Sequence, residues 1–315
     1  MMVKNVRTVG LNPAIDCVVR CQGFLPGRVN SGELVARIAA GKAANVTRAL
    51  ALLGQDVLAC GFLGECDWLF FKDQLHKLRP GAVACHFALL AQATRQNITI
   101  LHGDGETHIR LAGFEVNKTD IAAMEKHLKE TVQPGDAVLF SGSLPVGLSA
   151  QRFGDLLDIA LSVGAKVGVD TAGEALTLAL RKPLWIAKPN AEELAQVWGT
   201  GKLETVADIT GAAGKQACQV ENLLVSRGRL GALLIRQDEC FTGSISMSEP
   251  VIRTVACGDH LLAGFVHGLA QGKTPKQTLG IGLALATARA VSADLEIFDS
   301  EKYSMFLERV VVARV

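Results

Sequence analysis

From about residue 134 onward, short apolar runs each stop at a polar or glycine-bearing turn. Ala137–Phe140 leads into Ser141-Gly-Ser-Leu-Pro145, and Ala165–Val169 ends at Asp170. Leu184–Ala187 ends at Lys188-Pro-Asn190, and Leu223–Val225 at Ser226-Arg-Gly228. Amphipathic stretches lie between them. Strands alternating with helices in this way predict an α/β chain with a mostly parallel sheet covered by helices. In open sheets of that kind, ligands bind outside the carboxyl ends of the strands. Polar loops occur in any protein, but loop polarity alone does not account for small and charged groups recurring at these ends.

The first third reads differently. Ala14–Arg20, Val29–Ile38 and Gln96–Leu101 look like strands, with Arg110–Leu111 part of another. Between them, Ala43–Leu53 reads as a helix closed by Gly54. Strands drawn from about 12–38 and 86–112 are expected to form a small sheet projecting from the main layer and able to cover a site. No repeat or low-complexity linker divides the chain, so 1–315 reads as one domain.

The formal charge of +1 and the single tyrosine, Tyr303, argue against a nucleic-acid protein. No apolar run reaches the roughly 18 residues that span a bilayer, and no signal-like segment opens the chain. A cytoplasmic location is expected. The eight cysteines (Cys17, Cys21, Cys60, Cys66, Cys85, Cys218, Cys240 and Cys257) are scattered without a CxxC pair. They read as free thiols in a reducing compartment rather than a metal cluster.

Within Thr254–Phe265, Asp259 follows a small-residue turn at the mouth of a helix. Leu261, Leu262, Phe265, Val266 and Leu269 recur at helical spacing, and Gly264 and Gly268 allow close approach of another element. A helix N-terminus offers unpaired amides to a phosphoryl group, and a carboxylate there could take a proton from an attacking hydroxyl. The plainer alternative is that Asp259 only caps its helix.

Other segments supply candidates. Asp16, in Asn12-Pro-Ala-Ile-Asp16, could accept bonds from sugar hydroxyls, or be an ordinary strand charge. Ala39-Ala-Gly-Lys-Ala-Ala-Asn45 combines Gly41 for close approach, Lys42 as a phosphate-seeking charge and Asn45 as donor and acceptor. Its spacing is not that of a Walker P-loop. Arg95 and Arg28 are candidate anion ligands, although most lone arginines on strands are merely solvated. Asn190 and Glu193 suit either Mg2+ or a capping box. Ser226-Arg-Gly-Arg-Leu-Gly231 reads as a tight turn whose glycines would admit a nucleotide, or serve the turn alone.

In order, the segments LNPAID, AAGKAANV, FLG, TRQNIT, GFEV, SGSLPVG, KPNAEEL, SRGRLGAL and TVACGDHLLAGF resemble the ribokinase-like (PfkB) carbohydrate kinases, nearest their 1-phosphofructokinase and tagatose-6-phosphate kinase branch. They span residues 11 to 265. The resemblance implies a three-layer α/β/α sandwich with a small β-sheet lid. It implies ATP and Mg2+, a phosphorylated ketohexose as acceptor, and a homodimer formed through the lid. Asp259 would be the base, with an anion hole at Ala256, Cys257, Gly258 and Asp259. Asp16, Gly41, Lys42, Asn45, Arg95 and Ser143 would line the sugar-phosphate pocket. Ser226, Gly228 and Gly231 would border the nucleotide, and Asn190 and Glu193 would organise the metal through water. The remaining alternatives are an unphosphorylated sugar or nucleoside as acceptor, or a non-catalytic sugar-phosphate sensor.

Three departures stand out. The family usually has Gly-Ala-Gly-Asp-Ser where this chain has Ala256-Cys-Gly-Asp-His260, so Ala256 would be strained if that position needs positive φ. His260 would crowd the phosphate or, if protonated, attract it. Ala43 replaces a common glycine, and Cys66-Asp-Trp-Leu-Phe70 intervenes where an Asp and a Gly are expected after Gly64.

Overall fold

A computed structural model describes residues 3–103, 105–214 and 219–315. Strand β1 (Val6–Gly10) is followed by β2 (Ala14–Arg20), β3 (Glu33–Ala40), helix α1 (Lys42–Leu52), β4 (Val57–Gly64) and α2 (Trp68–His76). Next come β5 (Val83–Leu90), β6 (Arg95–His102), β7 (Gly105–Arg110) and α3 (Lys118–Thr131). The chain then alternates through β8 (Ala137–Ser141), α4 (Ala150–Ser162), β9 (Lys166–Asp170), α5 (Gly173–Ala179), β10 (Ile186–Ala187), α6 (Ala191–Trp198) and α7 (Val206–Ala213). It closes with β11 (Asn222–Ser226), β12 (Ala232–Ile235), β13 (Cys240–Ser244), α8 (Cys257–Ala270), α9 (Pro275–Ala290), α10 (Ser300–Arg309) and β14 (Val311–Arg314).

Among the described residues, ten strands form one sheet in the order β14-β13-β12-β11-β10-β9-β8-β1-β4-β5. From β5 to β11 neighbours are parallel, and from β11 to β14 antiparallel. Strands buried on both faces need apolar side chains at every position, which is why they read as continuous runs. In β8, Val138 and Phe140 pack with Phe153 of α4 and Met124 of α3, whereas Ala137 and Leu139 pack with the α1, α8 and α9 side. Helices α3 to α7 thus cover one face, and α1, α8, α9 and α10 the other. This is the three-layer sandwich.

The α8–α9 contact depends on missing side chains. A Cβ on Gly264 would lie 2.9 Å from the Gly282 Cα and 3.0 Å from the Ile281 carbonyl oxygen. The apolar stripe of α8 is buried from Leu261 to Val266, and Leu269 packs at its margin.

A separate sheet of order β3-β2-β6-β7 carries the early strands. Two expected boundaries move. Residues 86–90 belong to β5, which pairs with β4 at the edge of the main sheet, so the small sheet takes only 95–110 from that region. Strand β3 starts at Glu33 rather than Val29, because Asn30 bonds Leu25 N at 2.8 Å and the Leu25 and Arg28 carbonyls at 2.9 Å, tying residues 25–30 into a loop. No helix is long and apolar enough to cross a membrane among the described residues. The described cysteines are all free, and Cys218 lies outside the described residues.

Candidate active site

Helix α8 starts at Ala256, which takes φ 66° and ψ 0° and is the only non-glycine residue at positive φ among those described. This left-handed residue turns the chain so that the amides of Cys257, Gly258 and Asp259 open the helix without intrahelical acceptors. Replacing Ala256 by glycine removes its Cβ strain, worth about 1–2 kcal/mol, against a smaller loss through the freer unfolded chain. Ala256→Gly is therefore expected to raise unfolding free energy by about 0.5–1 kcal/mol. Urea denaturation measures it, and an unchanged or lower midpoint would mean that the turn carries no such strain.

Asp259, in the first turn of α8, is 5 % exposed. Its Oδ2 accepts a 2.7 Å bond from Asn45 Nδ2 on α1. Burial pushes its pKa up to about 7, Asp170 adds to the rise, and Asn45, Lys188 and Lys42 oppose it. An Asp that merely caps a helix bonds a following amide, but no side-chain cap bond is made at the α8 N-terminus. Its carboxyl instead bonds across to Asn45 of α1.

Asp170, at the end of β9, is fully buried between two lysines. Lys42 Nζ lies 2.7 Å from its Oδ1 and Lys188 Nζ 3.2 Å from its Oδ2. Lys42 is thus paired to a buried carboxylate rather than standing alone, and its side chain keeps part of its surface open. Burial opposes the charge of Lys42, but Asp170 outweighs it, with help from Asp259 and Glu193, and its pKa ends above the ordinary lysine value. Lys188 and Asp170 are further candidate site residues to which no motif assigns a role, although both stand at strand ends. Lys188 sits beneath the α8 turn, where a Cβ on Gly258 would come within 3.2 Å of its Nζ.

On the small-sheet side, Asp16 on β2 accepts a 2.7 Å bond from Asn97 on the adjacent β6. Burial raises its pKa, against that bond and nearby Arg95. Arg95 turns towards the β1–β2 corner, with Nε 3.2 Å from the Pro13 carbonyl oxygen and Nη2 3.2 Å from that of Asn12. Its Nη1 makes only a 3.5 Å contact with Asn97 and is the least engaged nitrogen. Arg28 is exposed in the β2–β3 loop, beyond the opposite end of β2 from Asp16. Gly41 takes φ 98°, and a Cβ there would lie 3.2 Å from the Pro13 Cα, so the two turns meet backbone to backbone. Ser143 is exposed and accepts from Asn12 Nδ2 at 3.1 Å. A small cavity between these segments is lined by Gly10, Asn12, Pro13, Gly41, Lys42 and Ser141.

On the other side of the α8 turn, a larger cavity is bordered by Ser226, Gly228, Gly231, Cys257 and Gly258. Gly231 takes φ 85°, and a Cβ there would strike the Gly243 carbonyl oxygen, so only glycine fits this turn between antiparallel β11 and β12. Asn190 bridges to Ser226, which brings the KPNAEEL and SRGRLG segments together. Asn190 and Glu193 form a reciprocal capping box, with Asn190 Oδ1 accepting from Glu193 N at 2.7 Å and Glu193 Oε2 from Asn190 N at 2.8 Å. One Glu193 carboxylate oxygen remains for another partner.

The departures from the motif pattern resolve physically. His260 neither crowds nor attracts the phosphate: it is buried, its Nδ1 bonds the Ala256 carbonyl at 2.9 Å, and its ring packs edge-on to Phe298. Burial lowers its pKa to about 3, so the ring is neutral. Burial likewise pushes the Cys257 thiol up to about 11. Ala43 is buried against Gly10, where an added Cβ would lie 3.1 Å from its own. After Gly64, Asp67 supplies the carboxylate: its Oδ2 accepts from Thr94 N at 2.9 Å, and the Thr94 hydroxyl accepts from Gly64 N at 3.0 Å.

The sequence matches the pfkB family of carbohydrate kinases over residues 4–295. It is 31 % identical over 314 residues to a 1-phosphofructokinase of Vibrio cholerae, covering 99 % of this chain and 98 % of the relative. A 1-phosphofructokinase of Rhodobacter capsulatus is 36 % identical over 307 residues, covering 94 % and 92 %. In fold, the chain resembles Escherichia coli phosphofructokinase-2 in complex with substrates and products, at TM-score 0.89 and 22 % identity, covering 97 % of this chain and 99 % of that one. The chain therefore belongs to the pfkB family of carbohydrate kinases, and it is a phosphotransferase acting on a hydroxyl group.

Proposed function

We propose that the enzyme transfers the γ-phosphoryl group of Mg-ATP to a hydroxyl of a phosphorylated ketohexose, with Asp259 as base. The observation that carries this reading is a buried carboxylate, held by Asn45, in the first turn of α8 among amides with no helical acceptor. Asp259 takes the proton of the attacking hydroxyl as its oxygen bonds to the γ-phosphorus and the bond to ADP breaks. On this reading the α8 amides and the Lys188 ammonium stabilise the migrating negative charge. Such transfers depend mainly on positioning and charge stabilisation.

Nucleotide binding falls to the Ser226–Gly231 side, and the phosphosugar to the side of Asp16, Gly41, Asn45, Arg95 and Ser143. The donor set fits a metal held through water: the capping box uses one Glu193 oxygen and leaves the other, and Mg2+ keeps several waters. When bound with ATP, Mg2+ neutralises phosphate charge; Glu193, with Asn190 beside it, would anchor its water shell. Exposed Leu34 and Ile109 on the small sheet suit a homodimer made through the lid. We place the reaction in the cytoplasm, where ATP is supplied and the free thiols stay reduced.

Fructose 1-phosphate is the first acceptor to test, because the relatives at 31 % and 36 % identity carry the name 1-phosphofructokinase. Purified enzyme with Mg-ATP should release ADP only on addition of fructose 1-phosphate, tagatose 6-phosphate or fructose 6-phosphate. No sugar-dependent ADP release across that panel would overturn the assignment and favour a sensor. Arg95→Ala is expected to raise KM for the phosphosugar by about 10–100-fold, the loss of a charge-assisted bond, with little change for the dephosphorylated sugar. Equal effects on both would remove Arg95 from the phosphate subsite.

A further inference from the structure

Arg48 lies on α1 one turn beyond Asn45 and is 2 % exposed. Its Nη1 donates to Asn45 Oδ1 at 3.2 Å, and its Nη2 to the Ala39 carbonyl oxygen at 2.6 Å. Its Nε faces Glu296 Oε2 at 3.9 Å, and Glu296 in turn holds Lys77 Nζ at 2.9 Å near the surface. A guanidinium has donors and no acceptor, so Asn45 can meet it only with its oxygen. The two ends of an Asn amide are almost the same shape, and only the surrounding bonds decide which way it points. With its oxygen fixed by Arg48, the Asn45 amide must turn its NH2 towards Asp259, to which it donates at 2.7 Å. Flipped, the same amide would set an oxygen against a carboxylate and repel it.

We propose that Arg48 is a positioning residue for phosphoryl transfer: it orients the Asn45 amide, and through that amide holds the Asp259 carboxylate towards the acceptor hydroxyl. Its place in catalysis rests on the reading of Asp259 as base. The motif carries the residue in plain view, AAGKAANVTR, yet nothing local in the sequence ties position 48 to position 259. A purely structural alternative exists, in which Arg48 only ties α1 to the Ala39 carbonyl and Glu296.

The charged groups facing Asp259 are Asp170 from β9, Lys188 beyond β10 and Lys42 from α1. None is altered by changing Arg48 or Asn45. The experiment is therefore a cycle of Arg48→Met, Asn45→Ala and the double variant, read by isotope-edited infrared titration of the Asp259 carboxyl in the unliganded enzyme. Each single change should move the Asp259 midpoint upward by about one pH unit, the effect of losing a bond to the charged form. The double variant should move it no further than Asn45→Ala alone. Under the proposed reaction, Arg48→Met should also lower kcat about tenfold with little change in KM for ATP.

An Arg48→Met shift of full size in the Asn45→Ala background would show a direct effect of charge and overturn the proposal. So would an unmoved midpoint. If Arg48→Met does not accumulate folded, Arg48→Lys answers the same question. It keeps a buried cation beside Glu296 but cannot bond Asn45 and the Ala39 carbonyl together, so a smaller upward shift is expected and none would overturn the role. These titrations need no turnover. Failure of Asp259 as base would appear instead as an active Asp259→Asn enzyme, with the cycle unaffected.

Discussion

Asp259→Asn is expected to lower kcat by about 10²–10⁴-fold, the range supplied by a general base, while the phosphosugar still binds. Asparagine keeps the shape and can still accept from Asn45, but it cannot take the hydroxyl proton. Turnover comparable to the wild type would mean that another group is the base. The same substitution has a pH-dependent effect on stability. In the folded chain the Asp259 pKa is raised from 3.8 to about 7, so folding favours the protonated form. The stability it contributes is complete below the unfolded value and falls as pH rises through the folded one. Asp259→Asn, which cannot ionise, should match the wild-type melting temperature near pH 3–4 and exceed it at pH 8. A variant less stable than the wild type at pH 8 would contradict the desolvation account. The wild-type acid limb of kcat/KM should also fall near pH 7, since the base must be ionised to act.

Lys188→Met is expected to reduce both stability and turnover. It removes one of the two cations on the fully buried Asp170 and leaves only Lys42, whose side chain is 37 % exposed. Orphaning a buried ion costs about 3–5 kcal/mol, and the surviving partner should hold the loss to about 2–3 kcal/mol. The ammonium also stands beneath the Gly258 turn, so its removal would take positive charge from the proposed anion hole, which costs about 10²–10³ in kcat for a single preorganised group. Because Lys188 lowers the Asp259 pKa, the acid limb should move upward in the variant. Urea denaturation and saturating kinetics separate the two effects. A folded variant with wild-type kcat would confine Lys188 to neutralising Asp170.

What the sequence disclosed and what it withheld follow from the range over which each signal acts. The parallel strands were legible because burial on both faces forces apolar residues at consecutive positions, and the polar groups ending β8, β9 and β11 follow directly in the chain. The Asn190–Glu193 box was legible for the same reason, its partners standing three residues apart. Sheet membership was not. Residues from about 86 onward read as part of the small sheet, but an extended segment does not say which sheet it joins, and only pairing with β4 decides that. Charge pairing was hidden as well. Lys42 looks like a free cation until strand order places Asp170, 128 positions later, against it. His260 showed its bulk but not its burial, to which Phe298, from the segment after α9, contributes by packing against the ring.

The 2.7 Å bond between Asn45 and Asp259 joins residues 214 positions apart. No shorter stretch of chain contains both, so a chain lacking α8 would lack the proposed base while retaining the segments proposed to hold the sugar. Contacts closed across such long loops cost entropy before they return any stabilisation. The proposed acid–base pair therefore exists only where α1 and α8 are packed together, and its geometry depends on that one long-range contact.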